Sequence, residues 1–297
     1  MPLNQRISVL AAKVESVVGT AESLSGTEGA FNVYFEGWTP NIQITPRPKQ
    51  GGHDHNAASS GSRWGQVSFA VDLVGNGSAG LPSWASTFLV ACGMTLSTAT
   101  YSFGNTSSTL TIGWYRNGKK YALAGCTGTY RIELTAGNVG RVHFTFIGKI
   151  VDDADVAILA PTFPTTVPPE WANASGLTFD STSPKVSRLT FDAGVETVMR
   201  EDPADPTGYV ASWIVDRAAT ATMDPEDVLV GDYDWLTKIK NSTEASLVAV
   251  VGTAANNTIT ITAAKAQPVS ATPSDRNKIA TLDVTLNLNT AFTILFG

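Results

Sequence analysis

His53-Asp54-His55 is the place in this sequence where metal-ligating side chains stand side by side, two imidazoles flanking a carboxylate. A zinc site needs three or four ligands fixed by rigid elements. This trio sits in a stretch rich in Gly, Ser, Pro and Asn, and His143 is the only other histidine. The tripeptide therefore reads as polar contact residues, with no metal bound. Nucleophile chemistry has no better foothold. Cys92 and Cys126 lack a local context that would activate a thiolate, and neither a G-x-S-x-G elbow nor a G-x-x-x-x-G-K-[S/T] phosphate loop occurs. Carboxylate pairs such as Asp152-Asp153 and Glu201-Asp202 fall in or beside expected loops. Glycoside hydrolysis needs its two carboxyls held rigidly across a cleft. The residues point to a protein that is not an enzyme and carries no cofactor.

The aromatic residues offer a second kind of chemistry, stacking on saccharides. Trp38, Trp64, Trp84, Trp114, Trp171, Trp213 and Trp235 are spread evenly, mostly on apolar-patterned segments. Core or interface packing accounts better for at least five of them. A binding module with exposed tryptophans, such as a virion decoration or carbohydrate- or receptor-recognising β-sandwich, stays as the alternative.

These residues must be positioned by a chain of 297 residues, enough for one large domain or two of about 150. Hydrophobic residues make up 43%, ample for a core, while charged residues reach only 15%. A soluble domain averages about 25% charged, so the surface is hydroxyl-rich or largely covered by neighbours. Two cysteines are too few for a disulfide framework. No stretch approaches the ~18 apolar residues of a membrane span, and the N-terminus lacks the apolar core and cleavage site of a signal peptide. Folding in a reducing cytoplasm is expected. Residues 1–150 carry 11 Lys+Arg and 7 Asp+Glu, a net +4; residues 151–297 carry 9 and 19, a net −10. An acidic whole argues against a dedicated nucleic-acid reader. A basic half joined to an acidic half suits head-to-tail packing.

Along the chain, residues 1–30 read as an arm and FNVYFEGWTPNIQI (31–44) as one or two strands. TPRPKQGGHDHNAASSGSRWG (45–65) reads as a long loop, and loops of that length usually have a task. QVSFAVDLVG (66–75) alternates as a strand should. PSWASTFLVACG (82–93) then reads as a helix, with Pro82 near its start, Gly93 at its end, and Trp84, Phe88 and Cys92 four apart on one face. Three strand-rich runs follow: STLTIGWYRNGKKYALAG around an Asn117-Gly118 hairpin turn, TGTYRIELTAG, and RVHFTFIGKIV. Residues 152–184, with five of the fifteen prolines, form a linker or wrapped connection.

The second half repeats this order. A strand segment (185–199), a loop (200–209), a strand segment (211–224), a helix within 229–242 placing Trp235 and Ile239 on one face, and three strands follow in turn. The domains expected are 31–151 and 185–297, behind an arm at 1–30 and joined by a linker at 152–184. The fold class is mainly β, two tandem β-sandwich or half-barrel domains each flanked by one helix. An apolar tail, TAFTILFG (290–297), should pair with some partner strand.

The arrangement resembles the major tail tube proteins of long-tailed, siphovirus-like bacteriophages, in their tandem-duplicated form. The resemblance is carried by VLAAKVESVVGTAES (9–23), VSFAVDLVGNGSAGLPSWASTFLVACG (67–93), NGKKYALAGCTGTYRIELTAGNVGRVHFTFIGKIV (117–151) and PTFPTTVPPEW (161–171). It implies a virion structural subunit assembled in the host cytoplasm. It further implies homotrimeric, pseudo-hexameric rings whose inner strands join into one lumen. That lumen holds the tape-measure protein and later passes DNA without sequence preference, between a tail tip and a tail terminator protein. Long loops and arms would reach the next ring, which makes Arg47, Lys49, His53, His55, Arg63, Trp64, Arg200, Glu201, Asp202 and Asp205 the candidates for inter-ring contact.

Overall fold

The computed structural model describes residues 6–172 and 176–297. Residues 1–5 of the expected arm and 173–175 of the expected linker lie outside them. The first half forms β1 (Ser8–Val14), β2 (Val33–Pro48), β3 (His55–Asp72), a π-helical segment (Ala85–Leu89), β4 (Met94–Ser97), β5 (Thr100–Phe103), β6 (Leu110–Arg116), β7 (Lys119–Thr135) and β8 (Arg141–Asp155). The second half forms β9 (Leu177–Phe179), β10 (Arg188–Asp192), β11 (Val195–Glu201), β12 (Tyr209–Arg217), β13 (Thr220–Met223), α1 (Trp235–Lys240), β14 (Ala245–Val251), β15 (Ile259–Arg276), β16 (Ile279–Leu288) and β17 (Thr293–Phe296). The protein is mainly β, 55% strand against 5% helix, so sheet pairing carries the architecture.

That pairing is repeated. In the first half, hydrogen-bonded neighbours run β2-β3-β8-β7-β6-β1. In the second they run β10-β13-β16-β15-β14-β9, the same path in the same chain order, with the hairpin β11–β12 extending β10 and β13. The two paths fuse. β10 pairs with β7 from Arg188↔Thr135 to Asp192↔Arg131, so within one 15-stranded sheet an eight-stranded run, β2-β3-β8-β7-β10-β13-β16-β15 (hereafter the eight-stranded sheet), crosses both halves. The C-terminal tail closes a second junction, since β17 lies between β15 and β5 of the first half. One continuous core results, in which Phe69, Phe88, Phe144, Phe146, Phe191 and Phe292 are all buried.

The first helix runs through residues 83–91 and is widened to a π turn at its centre. It buries Trp84, Phe88 and Cys92 as its spacing predicts, and the Trp84 indole N–H donates to the Val74 carbonyl at 2.9 Å. The second helix is only Trp235–Lys240, capped by the Asp234 carboxylate, which accepts from the Thr237 N–H. Trp235 is buried flat against Phe179, with ring centroids 5.4 Å apart, while Ile239 is half-buried.

Three expectations need correction. The long loop at 45–65 is a β-hairpin, paired as far as Pro48↔His55. It lacks apolar alternation because residues 42–61 are exposed on both faces, so the backbone ladder alone holds the strands. The runs YALAG and TGTYRIELTAG are one strand, β7, bent by a bulge at Gly125. The segment 211–224 divides into β12 and β13. The arm is partly built in: β1 pairs along its length with β6, and the Ala12 N–H donates to the Glu28 carbonyl. Within the expected linker, β8 runs on to Asp155 and β9 pairs with β14, leaving 156–176 as the irregular stretch. That stretch is wrapped onto the body, with Trp171 buried and bonded to Asn138, and the Thr166 hydroxyl donating to the Asn76 carbonyl. The Asn117-Gly118 turn stands as expected, both residues having positive φ (45° and 101°).

Gly125 is the position where the bend depends on glycine. Its φ is +63°, and an added Cβ would lie 2.7 Å from the Ala211 Cβ. Gly125→Ala should therefore lower stability by about 2 kcal/mol or more, seen as a lower urea midpoint. The same substitution at Gly137, also positive in φ but with nothing near its Cβ, should cost about 1 kcal/mol.

Candidate assembly surfaces

Three surfaces distinguish the molecule: a projecting hairpin, the open face of the eight-stranded sheet, and the contact between the halves. The hairpin comes from β2 and β3. Arg47, Lys49, His53 and His55 lie in its fully exposed outer part, with only Lys49–Asp54, at 4.0 Å, pairing charges near the tip. Ile42 and Ile44 on the same arm are half-exposed or more, at 50% and 57%. Among the described residues no group of three or more His, Cys, Asp or Glu is arranged to hold a metal ion.

The remaining expected contact residues lie elsewhere. Arg63 and Trp64 sit at the base of the arm, half-buried. Arg200 and Glu201 end β11 and are exposed, while Asp202 and Asp205 shape the β11–β12 turn. That turn packs against the first half of the same chain. The Arg63 N–H donates to the Thr207 carbonyl at 3.0 Å, and the Lys149 ammonium donates to the Asp205 carboxylate at 2.7 Å. Further along, the Ser212 hydroxyl donates to the Gly125 carbonyl and accepts from the Thr127 N–H, both residues being buried. The structure thus ties Arg63, through its backbone to Thr207, and Asp205, through Lys149, into the contact between the halves, and leaves Arg47, Lys49, His53 and His55 outside it.

Glu15 is a residue that sequence reasoning missed. Its carboxylate accepts from the Gly19 N–H, the Thr109 and Thr111 hydroxyls and the Gly125 N–H, between 2.6 and 2.9 Å. It pins the N-terminal segment to the β7 bulge. A lone acid in a polar stretch carries no sequence signal for this.

The open sheet face is polar and follows the registers row by row. One row reads Asp72, Arg141, Glu133, Thr190, Thr222, Thr285 and Ser270 across β3 to β15. The next reads Tyr34, Ala70, His143, Arg131, Asp192, Thr220, Asn287 and Gln267 across β2 to β15. Two arginines face three carboxylates in these rows, and Glu36 adds a fourth at 2.6 Å from His143. Tyr34 is covered by the Arg141 guanidinium, 4.4 Å from its ring centre.

A groove of about 520 Å³ beside Cys92, Trp213 and Arg217 presents one carboxylate, Asp216. Burial pushes the Cys92 and Cys126 thiols well above their ordinary range. Of the seven tryptophans, Trp84, Trp114, Trp171 and Trp235 are buried, Trp38 and Trp64 are half-buried, and Trp213 is exposed.

The family model for phage tail tube protein matches residues 5–290, nearly the whole chain. The chain belongs to the phage tail tube protein family. No curated protein matches it. As a tail tube protein it is a component of the virion tail and self-assembles into a tube. No helix among the described residues is long and apolar enough to cross a membrane. Membership also gives the exposed arm and the polar face a context, because a tube subunit must present both lateral and axial contacts.

The Lys149–Asp205 pair, at 2.7 Å, joins opposite charges across the halves of this tube protein. Burial disfavours the Asp205 charge, but Lys149 and the Thr207 hydroxyl and N–H more than compensate, lowering its pKa from 3.8 to about 2. A depressed carboxylate stabilises the fold above its unfolded pKa and loses that contribution as pH falls through the folded one. Asp205→Asn should cost about 2 kcal/mol at pH 7, and wild type and variant should converge in thermal unfolding as pH drops from 4 towards 2. A penalty still undiminished near pH 2 would show that charge at Asp205 is not what ties the halves.

Proposed function

We propose that the chain is a non-enzymatic structural subunit of a siphovirus-like tail, stacking as trimeric, pseudo-hexameric rings. The supporting observation is the repeated strand order, β2-β3-β8-β7-β6-β1 and then β10-β13-β16-β15-β14-β9, within a chain of the tail tube family. On this reading 31–151 and 185–297 are two tube domains, 152–184 is the connection and 1–30 the arm. Three chains supply six domains and 24 strands. At about 4.8 Å per strand, with a barrel tilt of up to ~40° and side chains ~5 Å deep, the bore is roughly 27–38 Å. That admits duplex DNA.

The polar rows from Asp72 to Ser270 and from Tyr34 to Gln267 line this bore. Their hydroxyls and slight excess of carboxylates give a neutral to acidic wall. Basic grooves bind phosphate by counterion release, and this wall offers little of that, so DNA slides without being held. The same lumen holds the tape-measure protein during assembly, between the tail tip and terminator proteins. Arg47, Lys49, His53 and His55 at the arm tip reach the adjacent ring. The decoration or carbohydrate-binding alternative draws only on Trp213, the single exposed tryptophan.

Negative-stain microscopy of the purified protein should show hollow rings or tubes. Monodisperse monomers that bind a glycan array would instead favour the alternative. Replacing residues 48–55 by Asn-Gly should keep the hairpin and leave the melting temperature within about 2 °C, because these side chains are exposed. Tube elongation should be lost. Tubes of normal length from that variant would remove the arm tip from the axial contact.

A further inference from the structure

Two strand edges of the eight-stranded sheet have no partner among the described residues: β2 beyond β3, and the stretch of β15 from residue 270 to 276 beyond β16. We propose that the free edge of β2 in one copy pairs antiparallel with residues 272–276 of β15 in a second copy, in the register of the seam already present inside the chain. The proposal rests on the ring-forming reading above, but its residue-level content comes from the chain's own repeat.

The repeat fixes the correspondence through a shared irregularity. β6 and β7 slip between the pairs Leu110↔Cys126 and Ile112↔Leu123, two residues opposing three. β14 and β15 slip identically between Ala245↔Ala266 and Leu247↔Ala263. Superposing the two bulges equates Cys126 with Ala266. Following the ladders outward, past the extra residue of β15 between Pro268 and Ser270, equates Tyr130 with Ala271 and Phe144 with Val284. One strand further, Phe69 corresponds to Met223, and beyond it Phe35 to Leu189 and Trp38 to Phe191.

β2 of the first half is thus the counterpart of β10, and β15 of the second half is the counterpart of β7. Inside the chain those counterparts are already paired: Leu189↔Leu134, Phe191↔Ile132, Asp192↔Arg131. Transposed to two copies, the same seam sets Phe35 opposite Asp275, Trp38 opposite Pro273 and Thr39 opposite Thr272. Thr39 and Thr272 are exposed and belong to the polar-face set, so they extend the open rows across the junction.

Physical complementarity supports a second copy as the occupant. A bare edge is a template for indiscriminate pairing. β2 carries Pro40, Pro46 and Pro48 and β15 carries Pro268 and Pro273, which withhold N–H groups and restrict what can add. β2 belongs to the half with net charge +4 and β15 to the half with −10, so their fields attract. The contact is heterologous, one patch meeting a different patch, and such contacts close into rings when the rotation allows.

A Thr39→Cys, Thr272→Cys double variant tests the register, because paired strand residues lie within disulfide reach. Both native cysteines are buried. Mild oxidation of assembled protein should give covalent oligomers reversible by reductant. Mixing the two single variants should give one dimer band, and Thr39→Cys alone none. Rings seen by microscopy without cross-linking would overturn this seam while leaving the ring reading intact. Absence of both would overturn the ring reading as well. Should the variant fail to fold, hydrogen exchange on the unmodified chain decides the matter. Amides of residues 34–39, 272 and 274–276 should slow at least tenfold on assembly, and unchanged exchange there would refute the pairing.

Discussion

The ladder between β7 and β10 is the constraint on which the rest of the molecule depends. A strand edge with unpaired N–H and C=O groups must be bonded, hidden or exposed to water. By joining the last inner strand of the first half to the first inner strand of the second, this ladder removes two edges at once. It forces the two halves into one sheet with a common polar face and a common core. The hairpin β11–β12 then has a fixed place, held by Lys149, Thr127 and Gly125 of the first half. The bulge at Gly125, the Glu15 carboxylate that fills it and the close approach of Ala211 all serve that one junction.

The low charge content finds its explanation in the same geometry. Four of the eight strands, β10, β13, β16 and β15, place Thr, Ser, Asn or Gln in the open rows, and these positions need neither burial nor charge. The exposed arm from residue 42 to 61 is similarly rich in Ser, Ala, Gly and Asn, with its few cations near the tip. Such a surface suits a subunit whose lateral and axial neighbours cover much of what a monomer leaves open.

How far the fold could be read from the residues depended on whether burial left a mark. Val67, Phe69 and Val71 alternate because one face of β3 is in the core, and Trp84, Phe88 and Cys92 recur every fourth residue because one helical face is. Both segments were legible. The outer β2–β3 hairpin reads as a loop because no face of it is buried, so its Gly, Ser and Pro composition masks a regular ladder. β9 is three residues long and was lost in the Pro-rich connection. The repeat of element order was visible, but the fusion of the halves was not, since antiparallel pairing of β10 with β7 requires only backbone groups. Among the expected contact residues, Asp205 and Arg63 turned out to bond within the chain, an outcome that charge type alone does not reveal. The disposition of the apolar tail, clasped between β15 and β5, was likewise beyond pattern reading.

In the proposed ring, one sheet spanning both halves presents its polar face to the lumen. A cryo-microscopy reconstruction of the assembled tube at side-chain resolution tests it most directly. An unbroken inner wall of strands is expected, with Arg131, Glu133 and Thr222 pointing to the axis and the helices of both halves outside. Helices facing the axis, or those three side chains on the outer surface, would contradict it.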